Sequence, residues 1–326
     1  MAFELTVDAA LTTTDELTVS VARGADVFVA SAETAGVYTL YSSPDGVTWT
    51  ARQVIDSAVD TPVVWTGSAF FITAYDSSLM LYRMWRSYDG IAWTAVFSDA
   101  LIWRTITGAG AGYAYFWQDG TYYRTADGVA IAAVSGISTI SASLVQFVPG
   151  ASACVAYSDS NEFFTSADGL AFTGGDTGGI NVLSAGWSDS RAEFIRVVEI
   201  DFAYVVQYSA DGSAWSNFAL QGGIELGFTP RVVTSGEFVA LVSVVSSEAD
   251  QRVSIVAPAS YTVEGVAFDP LATYPINYLK MFQGELSGEF LFTTFYNSWD
   301  PPSLVLGKAT FTSAMFWTAF KGQHEV

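Results

Sequence analysis

The chain has 326 residues, half of them apolar, with 10 Trp, 16 Tyr, 23 Phe and 28 Gly, which allows one large core and suits short strands and tight turns better than helices. Thirteen basic residues against 33 acidic ones give a formal net charge of -20, a field that repels phosphate backbones and anionic headgroups and excludes nucleic acid as an expected partner. The sequence has no run of about 18 apolar residues that would make a membrane span, and a lone cysteine, Cys154 in the apolar run 153–156, reads as a small buried hydrophobe rather than a redox group.

At the N-terminus, Met1-Ala2-Phe3-Glu4 lacks the basic and apolar regions of a secretory signal, so synthesis in a cytoplasm is expected. Residues 1–14 read as an N-terminal strand or extension. From about residue 15 a repeat sets in. Ser43-Pro-Asp-Gly-Val-Thr-Trp49, Ser87-Tyr-Asp-Gly-Ile-Ala-Trp93, Thr125-Ala-Asp-Gly-Val-Ala-Ile131, Ser166-Ala-Asp-Gly-Leu-Ala-Phe172 and Ser209-Ala-Asp-Gly-Ser-Ala-Trp215 share one template, their aspartates 38 to 44 residues apart.

In each copy the Asp-Gly pair (Asp45-Gly46, Asp89-Gly90, Asp127-Gly128, Asp168-Gly169, Asp211-Gly212) predicts a hairpin turn, since glycine accepts positive φ and the carboxylate bonds nearby backbone N–H groups. The hydroxyl two residues earlier (Ser43, Ser87, Thr125, Ser166, Ser209) bonds the same turn. Three residues after the glycine, Trp49, Trp93, Ile131, Phe172 or Trp215 packs inward as a wedge. A sixth, weaker copy is Thr262-Val-Glu-Gly-Val-Ala-Phe268, with Glu264 replacing the aspartate before Gly265 and Phe268 as its wedge. Around Ser313-Ala-Met-Phe-Trp317 only the apolar end survives.

Upstream of each brace the pattern also recurs. In the second unit Val63–Thr66, Ala69–Ala74 and Leu79–Arg86 read as three strands before the turn at Asp89, with one strand after it. Four short antiparallel strands per ~40 residues make one propeller blade. The expected fold is therefore all-β: a single β-propeller over 15–320 with seven blades, or six if the last copy is discarded, and a short tail at 321–326.

These segments resemble the Asp-box (BNR-repeat) β-propellers, whose consensus runs Ser/Thr, any residue, Asp, an optional residue, Gly, two more, then Trp or Phe. Such boxes occur in sialidases, assembly factors, sorting receptors and phage structural proteins, so the resemblance implies a fold rather than a function. A catalytic sialidase needs three arginines on a carboxylate, the first in an Arg-Ile-Pro type motif, and here Arg23 is followed by Gly24-Ala25. The pairs Arg83/Arg86 and Arg191/Arg196 read instead as partners of nearby acids.

Other chemistry finds little to work with. The single histidine is His324, three residues from the end, which supplies neither a triad nor a zinc site, and Asp60, Asp76 and Asp300 do not form a calcium-loop ladder. Glu193, Glu199 and Asp201 could face a groove as a glycosidase pair, but a solvated strand accounts for them. The alternating glycines of Gly108-Ala-Gly-Ala-Gly112 are not followed by a helix or Gly-Lys-Ser/Thr, so no phosphate loop is expected. No cofactor or metal is expected.

What remains is recognition by loops. The segment Phe295-Tyr-Asn-Ser-Trp-Asp-Pro-Pro-Ser303 offers Tyr296, Asn297, Trp299 and Asp300 as binding candidates beside a stiff Pro-Pro pair. A lysine-poor, acidic, Asp-box-like chain resembles bacteriophage structural proteins, which implies a non-enzymatic virion component of a tail, tail tip or fibre, made in the host cytoplasm. Its partners would be other virion proteins and a host cell-surface glycan. The alternatives are a glycoside hydrolase or assembly factor on the same scaffold, and a cytoplasmic location.

Overall fold

The structure is a computed structural model that describes residues 20–34, 37–46, 48–55, 62–76, 78–99, 104–137, 145–158, 161–176, 180–201, 203–220, 228–235, 238–244, 251–257, 262–266, 279–283, 289–296 and 303–310. Every regular element among them is a β-strand, and the strands form seven sheets that follow one another along the chain. The first five sheets are four-stranded meanders in chain order. The innermost strands, Ser20–Arg23, Val64–Trp65, Arg104–Gly110, Gln146–Pro149, Asn181–Ser188, Phe228–Ser235 and Leu279–Gln283, each touch the next, and the last touches the first. That ring of radial sheets is a β-propeller.

Burial falls from the ring outward. Second strands are packed on both faces by neighbouring sheets, which is why they read as nearly continuous apolar runs: Phe70–Ala74 and Phe194–Val198 are buried without interruption. Fourth strands lie at the rim and are more exposed: Ala132, Ala133, Ser216 and Asn217 are all exposed. The core therefore consists of slabs between consecutive sheets. Val29, Leu40 and Ile55 meet Phe70 and Ile72 between the first two, Phe71 and Met84 meet Ile106 and Phe116 in the next slab, and Tyr115 and Tyr122 meet Phe147 and Phe164 in the third.

The five boxes fall between the third and fourth strands of the first five sheets, as the repeat predicts. Because adjacent strands are antiparallel, these turns share one face with the connections between first and second strands. The opposite face carries the connections between second and third strands. Binding candidate Tyr296 belongs to that opposite face, as the last residue of strand Glu289–Tyr296, where its backbone pairs with Ser303. Its side chain, and Asn297, Trp299 and Asp300, lie outside the described residues, as do His324, Asp60, Phe268 and both proposed terminal extensions.

The sixth copy of the repeat is corrected by the structure. Glu264 and Gly265 lie inside strand Thr262–Val266, paired with Ile255 and Ser254, so they form no hairpin turn. The strand before it, Gln251–Ala257, faces it at Ala257 and Thr262, which puts the reversal ahead of the expected place. Without an aspartate to close the turn, the β-branched Val263 and Val266 make the segment a strand. This sheet also gains a fifth strand, Ala219–Leu220, which arrives from the fifth sheet and runs parallel to Thr262–Val266.

The glycine-rich stretch has a packing role. Gly108 lies where the innermost strands of the third and fourth sheets cross, and a Cβ there would collide with the carbonyl oxygen of Phe147. Close approach of two backbones requires the missing side chain.

Candidate functional site

In the boxes, hydroxyl and carboxylate divide the work of closing the turn. In the fourth sheet Ser166 Oγ accepts from Gly169 N at 2.9 Å and donates to Asp168 Oδ1 at 2.9 Å, while Oδ1 accepts from Leu170 N at 2.8 Å and Ala171 N at 3.0 Å. The same set recurs around Thr125 and Asp127 and around Ser209 and Asp211. In the first box Thr48 N donates to Asp45 Oδ1 at 2.7 Å, and in the second Ile91 N and Ala92 N donate to Asp89. Glycine at positive φ, 67° at Gly169, lets the backbone turn under the carboxylate.

Of the residues three places after the box glycines, Phe172 is buried, whereas Trp49, Trp93, Ile131 and Trp215 are half-buried. The indole N–H of Trp49 and of Trp215 each donates to its own box glycine carbonyl at 3.1 Å. Trp93 makes no such bond, and among the described residues its Nε1 has no hydrogen-bond partner. Phe172, which needs none, is buried in the slab between the third and fourth sheets.

The backbone N–H donors hold the box carboxyls below the usual carboxylate range. Ala92 and Ile91 do this for Asp89, Val129 and Ala130 for Asp127, and Ala171 and Leu170 for Asp168, whose pKa falls to about 2. Asp211 is lowered by Ala214 and Ser213 in the same way. On the opposite face Asp76 is lowered first by the Ser78 hydroxyl, with help from Arg83 at 3.1 Å. In contrast, burial pushes the Cys154 thiol up to about 12, consistent with its reading as a packed hydrophobe.

A cleft of about 410 Å³ opens on the box face between the first and second sheets. One wall is the turn Ala25, Asp26 and Val27 with Ser42, Pro44 and Arg52, and the other is Trp65 with Tyr88, Asp89 and Ile91 of the second box. Arg52 is steered by its Nε, which donates to Ser42 Oγ at 2.7 Å. Tyr88 is 62% exposed, and the Arg86 guanidinium stands 4.6 Å from its ring centre. The Ser87 hydroxyl and the Ile91 and Ala92 N–H groups all donate to Oδ1 of Asp89, and this aspartate lines the cleft.

Two carboxylates, a guanidinium and two aromatic rings around an open hollow can grip a polyhydroxylated ligand by hydrogen bonds and stacking. A glycosidase acid, by comparison, needs a raised pKa. Each described Asp with a resolved shift is lowered, Asp89 included. Sequence reasoning missed this cleft as a site, although Tyr88 and Ile91 occupy variable positions of a box whose other members are fully used, and that was the available signal.

The arginine pairs divide. Arg83 reaches Asp76, and Arg191 Nε reaches Glu193 at 3.3 Å, as expected. Among the described residues Arg86 reaches no acid: it donates to the backbone carbonyl of Asp127 in the next sheet at 2.6 Å. Arg124, at the same place in the third sheet, reaches the carbonyl of Asp168. Arg196 is buried beneath Trp215 and Phe163, with its Nε on Gln207 at 2.9 Å.

Comparison with known proteins supports the fold and goes no further. No protein-family model matches the chain, and no curated protein sequence does. Among solved structures, the WD40 domain of Toxoplasma gondii coronin is similar over 94% of this chain and 84% of its own, at 9% identity and a TM-score of 0.52. Virginiamycin B lyase from Staphylococcus aureus is similar over 95% of this chain and all of its own, at 12% identity and a TM-score of 0.58. A prolyl endopeptidase structure aligns with 92% of this chain and 51% of its own, at 12% identity and a TM-score of 0.59. At these identities the likeness is one of architecture alone.

Proposed function

We propose that the protein is a non-enzymatic recognition module on an Asp-box type propeller, which binds a glycan in the cleft between its first two sheets as part of a larger assembly. The observation that carries this is the cleft itself, with Tyr88, Trp65, Arg52 and Asp89 lining one hollow. The lowered carboxyl pKa values support binding over turnover, because an acid that is ionised at neutral pH has no proton to give a leaving group. The assembly is a bacteriophage virion, in keeping with the acidic, lysine-poor make-up, and its other proteins are the expected neighbours.

A glycan panel tests the binding. Wild-type protein should retain a subset of glycans, and Tyr88→Ala combined with Arg52→Ala should lose them while its melting temperature stays within a few degrees. Mass spectrometry of purified particles should find the chain in several copies. Sugar release that one carboxylate substitution abolishes would replace this reading with a glycoside hydrolase.

A further inference from the structure

Because the sheets repeat, each buried position can be compared with its counterparts. Directly before each box, one cross-strand row runs through the second, third and fourth strands. In the first sheet it is Ala30, Tyr41 and Ala51, and in the second Ile72, Trp85 and Ala95. The third has Phe116, Tyr123 and Ala133, and the fourth Ala156, Phe164 and Gly174. In the fifth sheet the row is Arg196, Gln207 and Asn217. Four sheets fill the row with apolar or small residues, and one fills it with a cation and two amides.

That substitution goes against stability. Burying a guanidinium is costly unless it is paired and hydrogen-bonded, and burial lowers the pKa of Arg196 to about 10. With Arg196 only 6% exposed, its cation is held by rings rather than by an acid: the guanidinium carbon lies 3.9 Å from the ring centre of Trp215 and 4.8 Å from that of Phe163 in the fourth sheet. Gln207 Oε1 accepts a hydrogen bond from Arg196 Nε–H, and Gln207 Nε2 in turn donates to Asn217 Oδ1 at 2.9 Å. Among the described residues the two terminal nitrogens have no hydrogen-bond acceptor and no carboxylate within ion-pair distance. The amide ladder runs from this cation to Asn217, which is exposed at the rim.

We infer that Arg196 is the anion-binding group of a second site, on the flank between the fourth and fifth sheets, whose ligand presents a carboxylate. A planar fork locked by Gln207 and flanked by flat rings matches a planar monoanion bidentately. Low dielectric between the rings strengthens that pairing. A single cation suits one carboxylate better than a phosphate dianion. The site is independent of the cleft between the first two sheets.

The test uses the Arg196 side-chain Nε–H resonance, assigned by its loss in a variant. Sodium acetate at millimolar concentration should move it saturably, while acetamide, of the same shape without the charge, and sodium chloride should not. Giving the fifth sheet the apolar row of its neighbours, Arg196→Ile with Gln207→Leu, should abolish acetate binding, measured by calorimetry, with the melting temperature equal to or above wild type. Arg196→Lys keeps the charge without the fork and should weaken acetate by about tenfold; it carries the test if the double variant does not fold. A resonance unmoved by acetate, moved equally by chloride, or acetate binding that survives Arg196→Lys unchanged would each overturn the site and leave the arginine a packing residue.

Discussion

The first five sheets and the sixth are made from the same kind of strand but closed by different means. Sheets one to five each carry an Asp-Gly brace whose carboxylate and hydroxyl satisfy the turn from within. In the sixth sheet the matching residues have become strand, and a fifth strand borrowed from the preceding sheet flanks them; the described part of the seventh has three strands. Closure by local side-chain chemistry and closure by added backbone pairing are thus alternatives within one ring. The first is titratable and the second is not.

The largest effect should come from acting on all braces at once through pH. The carboxyls of the second to fifth boxes have folded-state pKa values below the ordinary 3.8. They therefore contribute stability that is complete above that value and lost as pH falls through it toward about 2, where Asp168 titrates. Hydrogen exchange between pH 5 and 2.5 should show protection falling first beside the box turns of sheets two to five. Equal loss in the strands of the sixth sheet would break the comparison.

A single wedge ranks next. Phe172→Ala empties a buried site between the third and fourth sheets and should cost about 3 kcal/mol in urea denaturation. The smallest effect is expected at the false brace: Glu264→Gln leaves strand and register intact, so a stability change within about 0.5 kcal/mol is predicted. A loss comparable to that of a true brace would show that Glu264 closes a turn after all.

The residues explain which features could be read in advance. Asp-Gly turns are local, decided by groups within three residues of each other, so Asp45 to Asp211 were legible and gave the strand order with them. Glu264-Gly265 kept the order of the motif and the glycine, but a glutamate's carboxylate sits one methylene farther out than the short aspartate one that folds back onto the turn N–H groups. The cleft joins Asp26 to Asp89 across two sheets, and the partners of Arg196 come from Phe163 of one sheet and Trp215 of another; such contacts exist only after the ring closes. An arginine in a strand reads as half of an ion pair until the rings that hold it are known.

The joints at Arg86 and Arg124 have a consequence for how such a ring diverges. Each arginine grips a main-chain carbonyl of the following box, a group every residue possesses, so the joint is indifferent to which side chain evolution places there. Boxes can drift, as Pro44, Tyr88, Ala126, Ala167 and Ala210 already do at the position before the aspartate, without loosening the seam between neighbours. Variation is thereby tolerated on the one face where the seams run, and new surface chemistry can arise there by substitutions that the circle does not feel.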